Sequence, residues 1–471
     1  MKQTKTKLAY FVPFDTAGIQ SFLEQQAQAG WMLEKAGGLL WRFRKIEPKA
    51  VHFSVVFFPN ASAFDPAPSE AQQSFYDFCE HTGWKLAASD GKRQIFFNEA
   101  QNPTPIETDA ALEVDTIHRA AKKDYLPSGL AFLAVLLLEL VSELRFLRTD
   151  PIGLLTDNVS LFTGIDTILT ILLLGIELGG YFRWYCRART SAELNGSFQA
   201  PPSSLARRMV LFFGILTLLS IVAEQLLGGS SVALMALVML AGVGLIVALI
   251  LGVSKRMKRK QVSARRNRTV TVVLSVLCCW LLVIGTVIGI VSFDAFAQPD
   301  EAPAESYEYK GERFTVSHDR LLLTVEELME PGYDGYSYEA CEPRESFLVK
   351  YEEAAQRARM DALAEPQLFY SVTTVKLPFL YDRCKQAALE DVSTLSGHPR
   401  PNDEGDPLDR FVPADPTPWN ANEAYQRVFD GEKKTWFVLC YDSRVVRIIF
   451  EGDAWNLTDA QMALVGEKLG K

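Results

Sequence analysis

The sequence predicts a membrane protein of three regions. These are an α+β domain over residues 1–105, a bundle of five membrane-spanning helices within 126–292, and a second α+β domain over 309–471, joined by linkers at 106–125 and 293–308. Three observations predict this. Apolar residues concentrate between Leu126 and Ser292, and a helix-Gly-Trp-strand pattern occurs twice in the first 100 residues. The charge also divides: residues 1–292 hold 29 basic and 23 acidic side chains, whereas 293–471 hold 19 and 34. Whole-chain averages conceal all three. With 48% hydrophobic residues, 22% charged residues and a net charge of -9 over 471 residues, and a mean hydropathy of +0.04, the chain resembles an ordinary globular protein in composition. Those values exclude a disordered or collagen-like chain. The acidic balance gives no support to nucleic-acid binding, and seven cysteines exclude a disulfide-dense scaffold.

Elements of the first domain follow from local pattern. Lys7–Phe14 is a strand candidate, and Asp15 stands where an N-cap belongs. Ile19, Phe22, Leu23 and Ala27 follow at helical spacing, and Gly30 ends that helix. Trp31-Met32-Leu33 opens a strand, and Leu40–Arg44 and Val51–Phe58 continue a sheet. The unit then recurs: Ser69 caps, Phe75, Phe78 and Cys79 form an apolar face, and Gly83-Trp84 repeats the turn. Asp90-Gly91 signals a hairpin that returns through Gln94–Phe97. Two such units in one sheet predict a ferredoxin-like sandwich. Gly allows a left-handed helix end, and the Trp after it seals helix to sheet.

On these residues the chain resembles a bacterial family, domain of unknown function 2812. The likeness rests on Phe14-Asp15, Phe22-Leu23, Gly30-Trp31-x-Leu33, Glu47-Pro48, Gly83-Trp84 and Gln94–Phe97; Phe22 departs from the Trp that the family often carries there. The resemblance implies an uncharacterised multi-pass membrane protein, often near transcriptional regulators, and brings no catalytic residues.

A membrane helix needs about 20 apolar residues. Five segments are expected to span: 126–147, 158–180, 209–227, 231–253 and 269–292. The segment Arg183–Arg208 holds five arginines and one acid, and Lys255–Arg268 holds eight basic residues and no acid. The positive-inside bias makes both loops cytoplasmic. The expected localisation is the cell membrane, multi-pass, with the N-terminus cytoplasmic and residues after Ser292 extracytoplasmic. If the first segment did not span, the N-terminal domain would need export, and the first 30 residues hold no signal-peptide core.

In the outer domain, Lys310–Val316 and Gln367–Lys376 are strand candidates, and Phe379–Val392 is a helix. Ser396–Trp419 is a loop rich in Pro, Asp and Gly, and Glu423–Phe429 is a short helix. Thr435–Tyr441 and Arg444–Phe450 form a hairpin around Asp442-Ser443, and Leu457–Leu469 is a terminal helix begun at Asn456 or Thr458. Asp403, Glu404, Asp406 and Asp409 could hold Ca²⁺, but they lack EF-hand spacing and fit a solvated loop better. Cys341, Cys384 and Cys440 allow at most one internal disulfide; buried free thiols are the favoured reading.

No P-loop, G-x-G-x-x-G, H-E-x-x-H, G-x-S-x-G or C-x-x-C is present. Five scattered histidines show no ligand spacing. No cofactor, metal or catalytic residue is expected, and the expectation is a protein that is not an enzyme. The sharpest chemical signal is intramembrane acid: Glu139, Glu143, Asp166 and Glu224 could form an acidic vestibule. Alternatively Glu139 and Glu143 pair with Arg145 and Arg148, and Glu177 with Arg183. Phe14, Asp15, Gly30, Trp31, Gly83 and Trp84 read as structural. Gly175-x-x-x-Gly179 and Gly285-x-x-x-Gly289 suit helix packing or a homo-oligomer equally. Expected partners are the lipid bilayer and a cytoplasmic protein bound through residues 1–105, with no nucleic acid. The function class is a sensory, regulatory or scaffold protein; the alternative is a small transporter or its accessory subunit using the intramembrane acids.

Overall fold

The computed structural model describes residues 4–9, 11, 14–37, 40–62, 64–198, 203–227, 229–296, 305–330, 332–390, 409–453 and 455–471; within these, side chains are not described for 195, 203–210, 224–238, 240 and 286–296. The chain divides into two compact units, Met1–Leu140 with Ile165–Phe293, and Val141–Gly164 with Asp294–Lys471.

The first unit opens with a duplicated β-α-β-β motif. Its first copy is β1 (Thr4–Leu8), α1 (Thr16–Gln28), β2 (Trp31–Lys35) and β3 (Leu40–Lys45). Its second is β4 (His52–Phe57), α2 (Glu70–His81), β5 (Lys85–Asp90) and β6 (Arg93–Asn98). Both helix starts are capped from the side chain: Asp15 accepts from the Gly18 N–H, and Ser69 from the Gln72 N–H. Both helices leave through a left-handed glycine, Gly30 at φ 81° and Gly83 at φ 87°, a conformation that costs a side chain energy. The duplication reaches the bulges: register shifts between Leu33 and Lys35, and between Leu86 and Ala88, each three to five residues past its glycine.

The expected single ferredoxin-like sheet is not formed. Each copy closes its own antiparallel three-stranded sheet, ordered β1-β3-β2 and β4-β6-β5. The reason is local pairing: each opening strand bonds the last strand of its own copy, and the bulged strands β2 and β5 remain at the edges, where bulges discourage further pairing. One core joins the two sheets. Ile19, Leu23, Trp41, Phe43, Phe53, Val55 and Ile95 are buried in it together, while the opposite face of the second sheet packs Val56 and Phe96 against Cys79 and Trp84. Phe78, expected on that apolar face, is 58% exposed.

Residues expected as a linker instead form α3 (Ala110–Lys123), capped by Asp109 and burying Val114, Ile117, His118 and Ala120. The helices α4 (Tyr125–Thr149), α5 (Pro151–Leu155), α6 (Asn158–Asn195), α7 (Ser203–Leu227), α8 (Gly229–Arg259) and α9 (Ala264–Phe296) follow. The prediction of a five-helix membrane bundle is overturned. Among the described residues two helices, Asn158–Leu194 and Ala264–Gly285, are long and apolar enough to cross a membrane. In their most apolar windows only 11% and 6% of residues are buried, unlike the core helix of a globular domain. The expected segment 126–147 fails as a clean span because Glu139, Glu143, Arg145 and Arg148 crowd the second half of α4. The segment 209–227 is represented by a shorter apolar stretch, Leu211–Ala223, and 231–253 lies partly outside the described side chains. Helix α4 packs along α6, with Gly129 against Leu178 and Leu136 clustered with Leu174.

The second unit is mixed α/β. It begins with the β7 (Ser306–Tyr309) and β8 (Glu312–Thr315) hairpin, turned at Lys310 and Gly311 in left-handed conformation, where one strand was expected. Then come α10 (Val325–Leu328), β9 (Ser337–Ala340), β10 (Arg344–Glu345), β11 (Val349–Arg357), β12 (Gln367–Val375), α11 (Tyr381–Glu390), β13 (Asp409–Ala414), β14 (Glu423–Phe429), β15 (Glu432–Cys440), β16 (Arg444–Glu451) and α12 (Asp459–Leu469). Eight strands form one antiparallel sheet, ordered β10-β11-β12-β16-β15-β14-β13, with β9 on β11. Side chains alternate across it. Phe437, Leu439, Val446 and Ile448 face Trp419 and the α12 residues Val465 and Leu469; Val438, Cys440 and Val445 face Ala388 of α11. The expected helix over 423–429 is strand β14, because it lies between β13 and β15 and pairs with both. Part of the expected loop is strand β13. His398 and the acidic residues 403–406 lie outside the described residues.

Candidate functional site

Two junctions stand out, one within each unit, and both hold α6. In the first unit α6 presents a stripe at helical spacing, Tyr181, Trp184, Ala188 and Ala192, all buried. Against it pack Ala110, Val114 and Ile117 of α3, together with Phe14 from the loop before α1. Phe14 stacks on Trp184 at 5.2 Å and meets Tyr181 edge-on at 5.1 Å. His118 completes the contact. Its Nδ1 lies 2.6 Å from the Tyr181 hydroxyl, and its ring stacks on Tyr185 at 3.8 Å between centroids. Burial lowers the His118 pKa; Lys122 and Arg189 act in the same direction and Asp115 opposes them.

Two carboxylates flank the start of α3. Burial raises Glu107 to about 7. Burial, and then the neighbouring Glu107, raise Glu113 to about 7.

In the second unit the start of α6 and the short helix α5 are gripped by the sheet domain. The buried Ser346 hydroxyl donates to the Leu155 carbonyl at 2.5 Å. Arg383 on α11 donates to the Leu147 and Arg148 carbonyls at 3.1 and 3.3 Å, engaging carbonyls left open at the end of α4. Asn158 bonds reciprocally: its Nδ2 donates to the Glu345 carbonyl at 3.4 Å, and its Oδ1 accepts the Phe347 N–H at 3.2 Å. Leu154, Leu155, Val349, Val375 and Cys384 close an apolar cluster around these bonds.

The expected acidic vestibule has a different character. Glu139 is exposed, Glu143 is half-buried, and neither makes an ion pair with Arg145 or Arg148 among the described residues. Asp166 is half-buried beside Ser220 of α7, and its Oδ1 has no hydrogen-bond partner among the described residues. The Glu224 side chain lies outside the described residues, as does the Gly289 end of the second small-residue motif. Among the described residues no group of three or more His, Cys, Asp or Glu could hold a metal ion. All seven cysteines are free; Cys384 and Cys440 are buried and Cys341 is exposed. Burial pushes the Cys79, Cys384 and Cys440 thiols up to about 11.

The motif residues act structurally. Asp15 caps α1, Gly30 and Gly83 turn the chain, and the Trp84 indole is buried and donates to the Thr104 carbonyl at 2.8 Å. Trp31 is half-buried, under Lys5 at 4.1 Å. Neither junction was read from the sequence. The signal for the first was present, since Asp109 precedes apolar positions 110, 114, 117 and 121 at helical spacing. The second joins residues almost 190 to 240 positions apart, and no local pattern reports that.

No curated protein and no solved structure matches the chain. Residues 15–127, from the α1 cap into the first turn of α4, match the family described as "Protein of unknown function (DUF2812)".

Proposed function

We propose that the protein is a non-enzymatic membrane coupler, a sensor or regulatory scaffold, in which α6 links a domain outside the cell to a module inside it. One observation carries this reading: the same helix is held at its first residue, Asn158, by the Glu345 carbonyl and the Phe347 N–H and near its end by α3 and Phe14. A displacement of the sheet domain would therefore act on a helix that the module also grips. The apolar lengths Asn158–Leu194 and Ala264–Gly285 support insertion in a bilayer. The basic stretches 183–208 and 255–268 favour the cytoplasmic side, which would put the module, packed on residues 181–192, inside; α4, packed along α6, would then cross the bilayer beside it. Segments 141–164 and 294–471 then share the outer face, in keeping with their forming one compact unit. The module remains free to engage a cytoplasmic protein.

Hydrogen exchange on the full chain in lipid nanodiscs tests the coupling. The Ser346→Ala, Arg383→Ala double variant should lose protection over 147–162 and should also lower protection across α3 and 181–192 by severalfold. Loss confined to 147–162 would rule out coupling through α6.

A further inference from the structure

The first unit holds a cavity of about 380 Å³, open to solvent on one side, between the β5–β6 turn, the last turns of α3 and the first residue of α4. That volume lies in the range of small-molecule sites. Its apolar walls include Phe11, Phe14 and Phe57. Two lining residues, Arg93 and Tyr125, carry buried polar atoms with no hydrogen-bond partner among the described residues: the Arg93 Nε and the Tyr125 hydroxyl. The rest of the Arg93 group is committed. Its Nη2 donates to Asp90 at 2.8 Å, its guanidinium lies 5.4 Å from the Trp41 ring, and the side chain is 14% exposed. A buried N–H on a charged group is costly to leave unpaired, and a guanidinium can only donate. The missing partner is therefore an acceptor, and a carboxylate satisfies it best. The two lining acids do not repel such a group, because Asp90 is paired with Arg93 and Asp124 with Lys92.

We propose that this cavity is a binding site for a small amphipathic carboxylate. Its apolar body would lie against the three phenylalanines, its carboxylate would accept from the Arg93 Nε, and the Tyr125 hydroxyl would supply a second donor. None of the residues singled out from the sequence as acidic or catalytic takes part. Tyr125 opens α4, so an occupant would touch the element that leaves the module, but binding itself does not depend on the coupling role.

The test is calorimetry on the full chain in nanodiscs, with 3-phenylpropionate as probe and 3-phenylpropionamide as its neutral counterpart. The acid should bind saturably and the amide at least about tenfold more weakly, as expected for loss of a charge-assisted bond. Arg93→Gln and Ala121→Phe, which fills the cavity, should each abolish acid binding. Tyr125→Phe removes only a hydroxyl that has no hydrogen-bond partner among the described residues, so it keeps the fold even if Arg93→Gln does not, and it should weaken acid binding severalfold. Absence of saturable binding by the acid, equal binding by the amide, or unchanged affinity in Tyr125→Phe would overturn the assignment.

Discussion

Asp409 and Arg427 form a bidentate ion pair almost out of solvent, with side chains 3% and 9% exposed and bonds of 2.7 and 2.5 Å. Trp436 covers the guanidinium at 3.8 Å. Removing one partner strands the other charge, so Asp409→Ala should destabilise the sheet domain by about 3–5 kcal/mol, read by thermal unfolding. Glu113 behaves oppositely. Its folded pKa, about 7, exceeds that of an unfolded glutamate, so the folded state holds the extra proton. Its contribution to stability is present below the unfolded value and lost as pH rises toward 7. Glu113→Gln should therefore raise stability at pH 8 by on the order of 1 kcal/mol, after discounting for solvent at a half-buried site, and change little at pH 4. His118 has the reverse slope: its pKa is lowered on folding, so stability falls as pH drops below the unfolded histidine value of about 6.5. A pH titration of hydrogen exchange over α3 separates the two, since His118→Phe lowers protection at all pH by losing the Tyr181 contact but abolishes the acid-side loss. Neither residue could be singled out from sequence, because the burial of each depends on where α3 packs, and that of His118 on Tyr181 and Tyr185 of α6.

At the scale of elements, the sequence reading succeeded where the cause is local. Asp15, Ser69 and Thr458 cap the helices they precede, and the hairpin around Asp442-Ser443 pairs as expected. It failed where a strand owes its state to its neighbours. Glu423–Phe429 has no strong local preference, yet pairing on both edges makes it a strand. The terminal helix shows how tightly such packing is specified. A Cβ at Gly466 would meet the Trp419 carbonyl oxygen at 2.1 Å, a backbone atom that cannot yield alone. Gly466→Ala should therefore lift α12 off residues 417–419 and cost about 1–3 kcal/mol or more, whereas Thr458→Ala should cost about 1 kcal/mol. Comparing the unfolding midpoints of the two variants checks that order.

For the whole molecule, the charge division and the basic stretches are properties of sequence, and they carry the proposed orientation. Labelling of intact cells by an impermeant maleimide tests it with single-cysteine variants. Cys341 is exposed and should react at once. Cys186, exposed near the far end of α6, should react only after permeabilisation, and the reverse pattern would invert the topology. Cys79 is unsuited to this purpose because its thiol is buried. The sequence by itself determined the duplicated motif of the first domain, its glycine turns and caps, the apolar middle and the separate polar end. Each of these rests on residues within one turn, hairpin or helix of one another, or on composition. Only the tertiary structure decided that the duplicated copies close two sheets, that α3 is a docked helix, and that α6 is held through Asn158 at one end and against Phe14 at the other. Those outcomes depend on contacts between residues far apart in the chain, where packing and hydrogen-bond satisfaction outweigh local preference.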